Sequence, residues 1–214
     1  MKHIQKGEAP STLTEWNQQL GNNIPNWKHF DRDVKNDVFQ ALLKEQGYIC
    51  CYCGNSIARK ECHIEHFQPK SLYKNLTYAY TNLLVSCQGE DEKRPRVPVH
   101  CGHKKNNWYD EELMVSPLDV NCADFFRYSG YGEILPTDDL DKQAAAKITI
   151  AKLALNIDKL KNMRKVAIDA AIEATDGLTD AEIQLLAQGY DKLDVNGRYT
   201  PFCGAITYLL KTYF

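Results

Sequence analysis

Eight polar residues within one stretch of the chain have the types and spacing of two different metal centres. Cys50-x-x-Cys53, Cys87 and Cys101 offer four thiolates, the donor set of a tetrahedral structural zinc. Interleaved with them stand Glu65-His66, Asn82 and His103: a carboxylate, two imidazoles and an amide. That second set suits phosphodiester hydrolysis, which needs a base to activate water, a cation to balance charge on the phosphate, and a rigid frame. His66 suits the base, because an unperturbed imidazole with a pKa of about 6.5 is mostly neutral at cellular pH. Glu65 is a hard oxygen donor for Mg²⁺ or Mn²⁺. Asn82 carries an amide carbonyl able to hold the His66 ring nitrogen and set its tautomer. His103 can supply a second protein ligand to the catalytic cation.

The cysteines divide into a knuckle and a distant pair. Cys50 to Gly54 places two sulfurs on one turn, with Gly54 letting the backbone fold behind them. Cys87 and Cys101 are separated by the thirteen residues 88–100. That polar insert, with Lys93, Arg94 and Arg96, reads as an exposed loop; closure entropy rises only logarithmically with its length. Cys51, Cys62 or His100 could replace one ligand. A redox role for the Cys-x-x-Cys pair is the rival reading, but no thioredoxin-like βαβ pattern surrounds it. Cys122 and Cys203 lie apart and are expected in the core as small hydrophobes.

Around these residues the chain is of ordinary globular composition: 214 residues, 43% apolar and 25% charged, enough to bury a sizeable interior. No apolar run approaches the ~20 residues of a membrane span, and residues 1–10 lack the apolar stretch of a signal peptide. The expectation is a cytoplasmic protein without membrane attachment, whose eight cysteines serve metal binding rather than disulfides. The formal charge of −2 is unevenly spread. Residues 50–107 hold nine Lys/Arg against five Asp/Glu, a net +4 that leaves −6 for the rest. A basic segment around the candidate residues suits a polyanion, whereas the acidic remainder argues against a whole surface made for nucleic acid.

The elements that must position these residues are mostly helical. Thr12 with Glu15 reads as a capping box for a first helix carrying Leu13, Trp16 and Leu20, and Pro25 interrupts. Asp31 is expected to cap a second helix with Val34, Val38, Leu42 and Leu43 on one face, stopped by Gly47. The cysteine-rich segment reads as turns, short strands and a short helix starting near His103. Adjacent strand residues face opposite ways, so Glu65 and His66 can share a site only if the strand bends, which Pro69 permits. His63, two residues before Glu65, shares its face and is either a further ligand or a structural histidine. Residues 109–140 read as irregular, with a hairpin near Tyr131. Helical spacing resumes from Leu140, with Asn156 as a break or cap, Thr179/Glu182 as a capping box, and Thr200-Pro201 as the start of a last helix.

The run Cys50-x-x-Cys53, Ile64-Glu65-His66-Phe67-x-Pro69-Lys70-Ser71, Asn82-Leu-Leu, Cys87, Cys101-x-His103-Lys-Lys resembles the zinc-stabilised HNH, or ββα-metal, endonucleases. The resemblance implies that Glu65 and His103 hold the catalytic cation (Mg or Mn), that His66 is the general base and that Asn82 orients it. Two departures matter. Gly102 intervenes between the last cysteine and His103, which leaves Asn106 and Asn107 as alternative helix-borne ligands, and Glu65 replaces the commoner Asp. Met1-Lys-x-Ile4-x-Lys6-Gly7 and Cys87-Gln-Gly through His100-Cys101-Gly-His103 resemble the PtuB-like HNH subunit of Septu-type anti-phage systems, including retron-attached ones. That likeness covers roughly the first 140 residues. It implies an ABC/SMC-like (PtuA-like) ATPase partner and, in retron versions, a reverse transcriptase with its multicopy single-stranded DNA.

The expected fold is therefore α+β and mostly helical. An N-terminal helical segment (1–47) precedes a zinc-bound ββα-metal core (48–116), followed by an irregular connection and a C-terminal helical region packed on that core (117–214). The expected function is metal-dependent cutting of DNA or RNA, because water as nucleophile makes the 2′-hydroxyl unnecessary. The rival expectations are a non-catalytic zinc module that binds nucleic acid or a protein, and an adaptor acting through its helical tail.

Overall fold

The computed structural model describes residues 1–21, 26–58, 62–87 and 98–214. Pro25 and the basic insert residues Lys93, Arg94 and Arg96 lie outside these, as do Arg59 and Lys60. Helices and two small antiparallel sheets share one continuous apolar core, running from Met1 and Ile4 to Leu209 and Leu210.

Asp31 opens α2 (Arg32–Glu45) by accepting from the backbone N–H groups of Asp33 and Val34, two of the donors a helix start leaves unpaired. Val38, Phe39, Leu42 and Leu43 then bury one face. The helix ends at Gln46, and Gly47 follows with φ +56°. The expected Thr12 capping box does not form. α1 (Ser11–Leu20) starts two residues earlier, behind Pro10, with no side-chain cap. Thr12 thus falls inside the first turn, where its hydroxyl is buried without a partner.

β1 (Cys62–His66) pairs antiparallel with β2 (Leu83–Cys87), Glu65 lying opposite Leu84 and His66 opposite Leu83. The five-residue helix α3 (Cys101–Lys105) follows and packs on β2. This gives two strands and a helix in the expected order, though the helix begins two residues before His103. Gln46 reaches the outer edge of β2: its amide accepts from Val85 N–H at 2.7 Å and donates to Val85 O at 2.8 Å.

The second sheet is the hairpin expected near Tyr131, β3 (Phe126–Tyr128) with β4 (Ile134–Pro136). Asn156 makes the break between α4 (Leu140–Lys152) and α5 (Asp158–Glu173), but not as a cap. Its amide bonds both backbone groups of Ile134, accepting at 2.9 Å and donating at 2.8 Å. The Thr179/Glu182 capping box forms at α6 (Asp180–Tyr190). The last helix, α7 (Cys203–Tyr213), starts later than expected, because Phe202 at its N-cap adopts a left-handed φ of +58°. Thr200 and Pro201 therefore lie in the turn ahead of it.

This C-terminal part is bonded directly to the cysteine-rich segment. Cys101 N–H donates to Leu153 O at the end of α4, and Phe202 N–H donates to Gly54 O in the knuckle. No helix among the described residues is long and apolar enough to cross a membrane.

Candidate functional site

The knuckle turn at residues 50–54, the end of β2 and the start of α3 bring four sulfurs to one point. The Sγ atoms of Cys50, Cys53, Cys87 and Cys101 all lie within 4.8 Å of one another, and all four residues are buried. Cys51, Cys62 and His100 are not members of this group. Cys62 donates its thiol to Ala58 O at 3.0 Å, and His100 Nδ1 sits 3.1 Å from Cys101 Sγ. Cys87 N–H points at Cys50 Sγ, 3.4 Å away.

The chemistry of the set calls for a cation. Burial opposes ionisation of Cys50, yet the thiols of Cys101, Cys51, Cys53 and Cys87 donate to it and pull its pKa well below the ordinary value. Cys101 is pushed well up by burial and by that donation. At Cys87 the opposing pull of Cys101 is outweighed by Cys50, Cys53 and burial. Four such sulfurs can all be thiolates together only if a metal neutralises them, and the residues fit a tetrahedral zinc.

Beside the cluster lies an open cleft of about 300 Å³, lined by His63, Glu65, His66, Lys70, His103, Asn106 and Asn107 among others. β1 ends at His66, so the chain turns there and the Glu65 and His66 side chains both reach it. Glu65 is almost fully buried. Its Oε1 is 2.9 Å from Lys105 Nζ and accepts from the Tyr52 hydroxyl at 3.2 Å, and its Oε2 is 3.3 Å from His63 Nε2. Burial alone would raise the Glu65 pKa, but hydrogen bonding to His63 and the charge of Lys105 outweigh it and hold the carboxyl below its usual value.

His66 Nε2 lies 3.0 Å from Thr77 O. A carbonyl can only accept, so Nε2 carries the proton and the neutral ring keeps its lone pair on Nδ1. Burial, then the charge of Lys70, lower the His66 pKa to about 4, so the ring is neutral at cellular pH. His103 is exposed on α3, its ring 4.6 Å from that of His63 in a T-shaped contact.

The role expected for Asn82 needs correction. Its side chain does not meet the His66 ring. Asn82 Oδ1 accepts from Gln68 N–H at 2.8 Å, and Nδ2 donates to Gln68 O and Leu76 O at 2.9 and 3.2 Å. Asn82 sits at the end of a 3-10 turn just ahead of β2, where its amide ties together both ends of the 67–77 loop. That loop delivers the Thr77 carbonyl to His66, so Asn82 reaches the His66 ring only through the backbone.

Two contributors, Lys105 and Tyr52, and the packing role of Gly102 escaped the sequence reading. Lys105 is fully buried, bridging Glu65 and the carbonyl of His66, to which it donates at 3.0 Å. Its signal was its place four residues after Cys101, hence on the same inward face of α3. Tyr52, between the knuckle cysteines, reaches Glu65 from the sulfur side. Gly102 is pressed against the cleft: a Cβ there would lie 2.5 Å from Glu65 Oε2 and 2.7 Å from His63 Nε2. The glycine that separates Cys101 from His103 is thus what lets α3 approach β1.

No family model matches this chain. The chain is 32% identical over 149 residues to a protein of Vibrio cholerae serotype O1 biovar El Tor, described as a candidate HNH endonuclease of retron Vc95. The matched stretch covers 67% of this chain and 69% of the relative. Likeness of that extent, joined to the four-cysteine cluster and the cleft beside it, places this protein in the family of retron HNH endonucleases.

Proposed function

We propose that this chain is a metal-dependent HNH endonuclease that hydrolyses phosphodiester bonds, with β1, β2 and α3 as its ββα-metal core and zinc on the four cysteines. The single observation that supports this most is the convergence of Glu65, His66 and His103 on one open cleft, with the His66 ring neutral and its tautomer set by Thr77. Glu65 and His103 would hold the catalytic cation, which would supply positive charge to balance that on the phosphate. His66 Nδ1 takes the proton from the attacking water. Thr77 keeps that ring in register, and Asn82 keeps Thr77 in place. Lys105 fixes the Glu65 carboxylate in its ionised form and ties it to the backbone of the base. Cleavage of this kind leaves 5′-phosphate and 3′-hydroxyl ends on DNA or RNA.

The retron naming of the relative supports a second part of the proposal. The chain acts as the nuclease effector of an anti-phage complex, partnered by a Septu-like (PtuA-like) ABC/SMC ATPase and the retron reverse transcriptase with its multicopy single-stranded DNA. The test is cleavage of plasmid and total RNA by the chain co-purified with its operon partners, with Mg²⁺ or Mn²⁺. Cutting that is lost in His66→Ala while zinc stays bound is the expected outcome. Undiminished cutting by His66→Ala removes the base assignment. Binding without any cutting by the wild-type complex favours a non-catalytic zinc module.

A further inference from the structure

A second cavity, of about 510 Å³, opens beside the cleft and shares Lys70 and Asn107 with it. Its other walls are Asn26, Trp27, Ser71, Lys74 and Thr77. None of these is acidic. Trp27 is half-buried, its indole stacked on Tyr78 at 5.6 Å and in edge contact with the His66 ring at 4.5 Å. The ammonium groups of Lys35 and Lys70 lie 5.3 and 5.9 Å from the centroid of that indole. No ion pair among the described residues involves Lys35, Lys70 or Lys74.

We propose that this cavity receives an unpaired nucleotide adjoining the phosphate to be cut, its base packed on Trp27 and its phosphates held by Lys70 and Lys74. This rests on the hydrolytic reading of the neighbouring cleft. The site combines unpaired cations with an aromatic wall and amide and hydroxyl groups, which are the elements of single-strand recognition. Its volume falls in the range of pockets that enclose small ligands, whereas a duplex presents its backbone on a convex surface and keeps its bases stacked inside. A base can reach a recessed indole only after leaving its stack. Thr77, whose carbonyl holds His66, and Trp27, which touches its ring, both line the cavity and would stand between the nucleotide and the catalytic base. The substrate is therefore nucleic acid that is single-stranded or looped at the point of cutting.

The experiment uses the zinc-loaded full chain carrying His66→Ala. Fluorescein-labelled DNA and RNA hairpins with an unpaired loop, and a blunt duplex of the same stem, are titrated by anisotropy at several salt concentrations. The loop probe is expected to bind at least about ten-fold tighter than the duplex. Trp27→Ala should weaken loop binding roughly 5- to 100-fold, the range of one base–aromatic stack, and Trp27→Phe should largely restore it. Because Trp27 also packs against Tyr78 and His66, the exposed pair Lys70→Gln/Lys74→Gln is the independent variant. It should lower the salt slope for the loop by about 1.4, two phosphate contacts at ~0.7 each. Equal affinity for duplex and loop overturns the inference, as does an unchanged salt slope in the double variant or failure of both probes to bind. Cutting by the wild-type chain is scored separately. A wild-type chain that cuts duplex as fast as loop keeps the nuclease and loses the pocket. Loop-selective binding in a chain that never cuts keeps the pocket and counts against the hydrolytic reading alone.

Discussion

Cys101 is enclosed among three other sulfurs, whereas His103, two residues further along the same helix, is exposed at the rim of a cleft. The two regions are built on the same strands and the same short helix, and they differ in what fills them. The sulfur cluster is buried and made of one soft donor type, as suits a metal that stands in for core. The cleft is open and mixed, lined by a carboxylate, imidazoles and amides, with His103, Asn106 and Asn107 exposed at its edge. Lys105 and Tyr52 join the two, since both reach Glu65 from the protein interior. On the proposed reading, the closed centre builds the frame and the open one uses it.

That asymmetry can be broken from either side, and the largest effect should come from the closed centre. Cys87→Ser, or chelation of the zinc proposed for the cluster, should unfold β1, β2 and α3 together. Apparent structural zinc binding is on the order of 10 kcal/mol, so a fall in Tm of more than ~10 °C is expected, read by calorimetry alongside metal content. A protein that loses its zinc and melts unchanged would contradict the division of labour. Next, His66→Ala should reduce cleavage about 10²- to 10⁴-fold with zinc stoichiometry intact, measured by end-labelled substrate turnover.

Lys105→Met tests the link between the regions. It strands the buried Glu65 carboxylate beside His63 and Tyr52, a loss of about 3–5 kcal/mol, to be read by urea denaturation. A change below ~1 kcal/mol would mean that the bridge is unimportant. Asn82→Ala should cost about 1–3 kcal/mol by leaving the Gln68 and Leu76 backbone groups unpaired, and it should lower turnover through the displaced Thr77 carbonyl. Far from both regions, Thr179→Ala should cost only about 1 kcal/mol through the lost cap and leave turnover untouched.

What the sequence made legible was the part whose chemistry is local. Cysteines at Cys-x-x-Cys spacing have few uses besides binding a metal or redox exchange, so Cys50, Cys53, Cys87 and Cys101 could be chosen by spacing. Asp31 and Thr179 could likewise be read as caps, because a cap needs only its own next three residues. Thr12 misled for the same reason in reverse, since Pro10 takes the cap position and starts the helix two residues early. Asn82 could be singled out but not assigned its partners, because these are backbone groups of a loop whose path depends on tertiary packing. Lys105 was overlooked because lysine is normally a surface residue, and only the fold shows that its helix face is turned inward. Trp27 lies some forty residues before His66 in the chain, and nothing short-range connects them.

The side-chain amide of Gln46 has one further consequence for how the molecule behaves in company. A two-stranded sheet ordinarily leaves exposed backbone donors and acceptors on its flanks, an invitation to pair with another chain. Along β2 the outward groups of Val85 are already taken, by Gln46 on both atoms and by Cys51 N–H on the carbonyl. One glutamine thus impersonates a neighbouring strand for the length of a single residue, closing that flank to intermolecular pairing without lengthening the sheet.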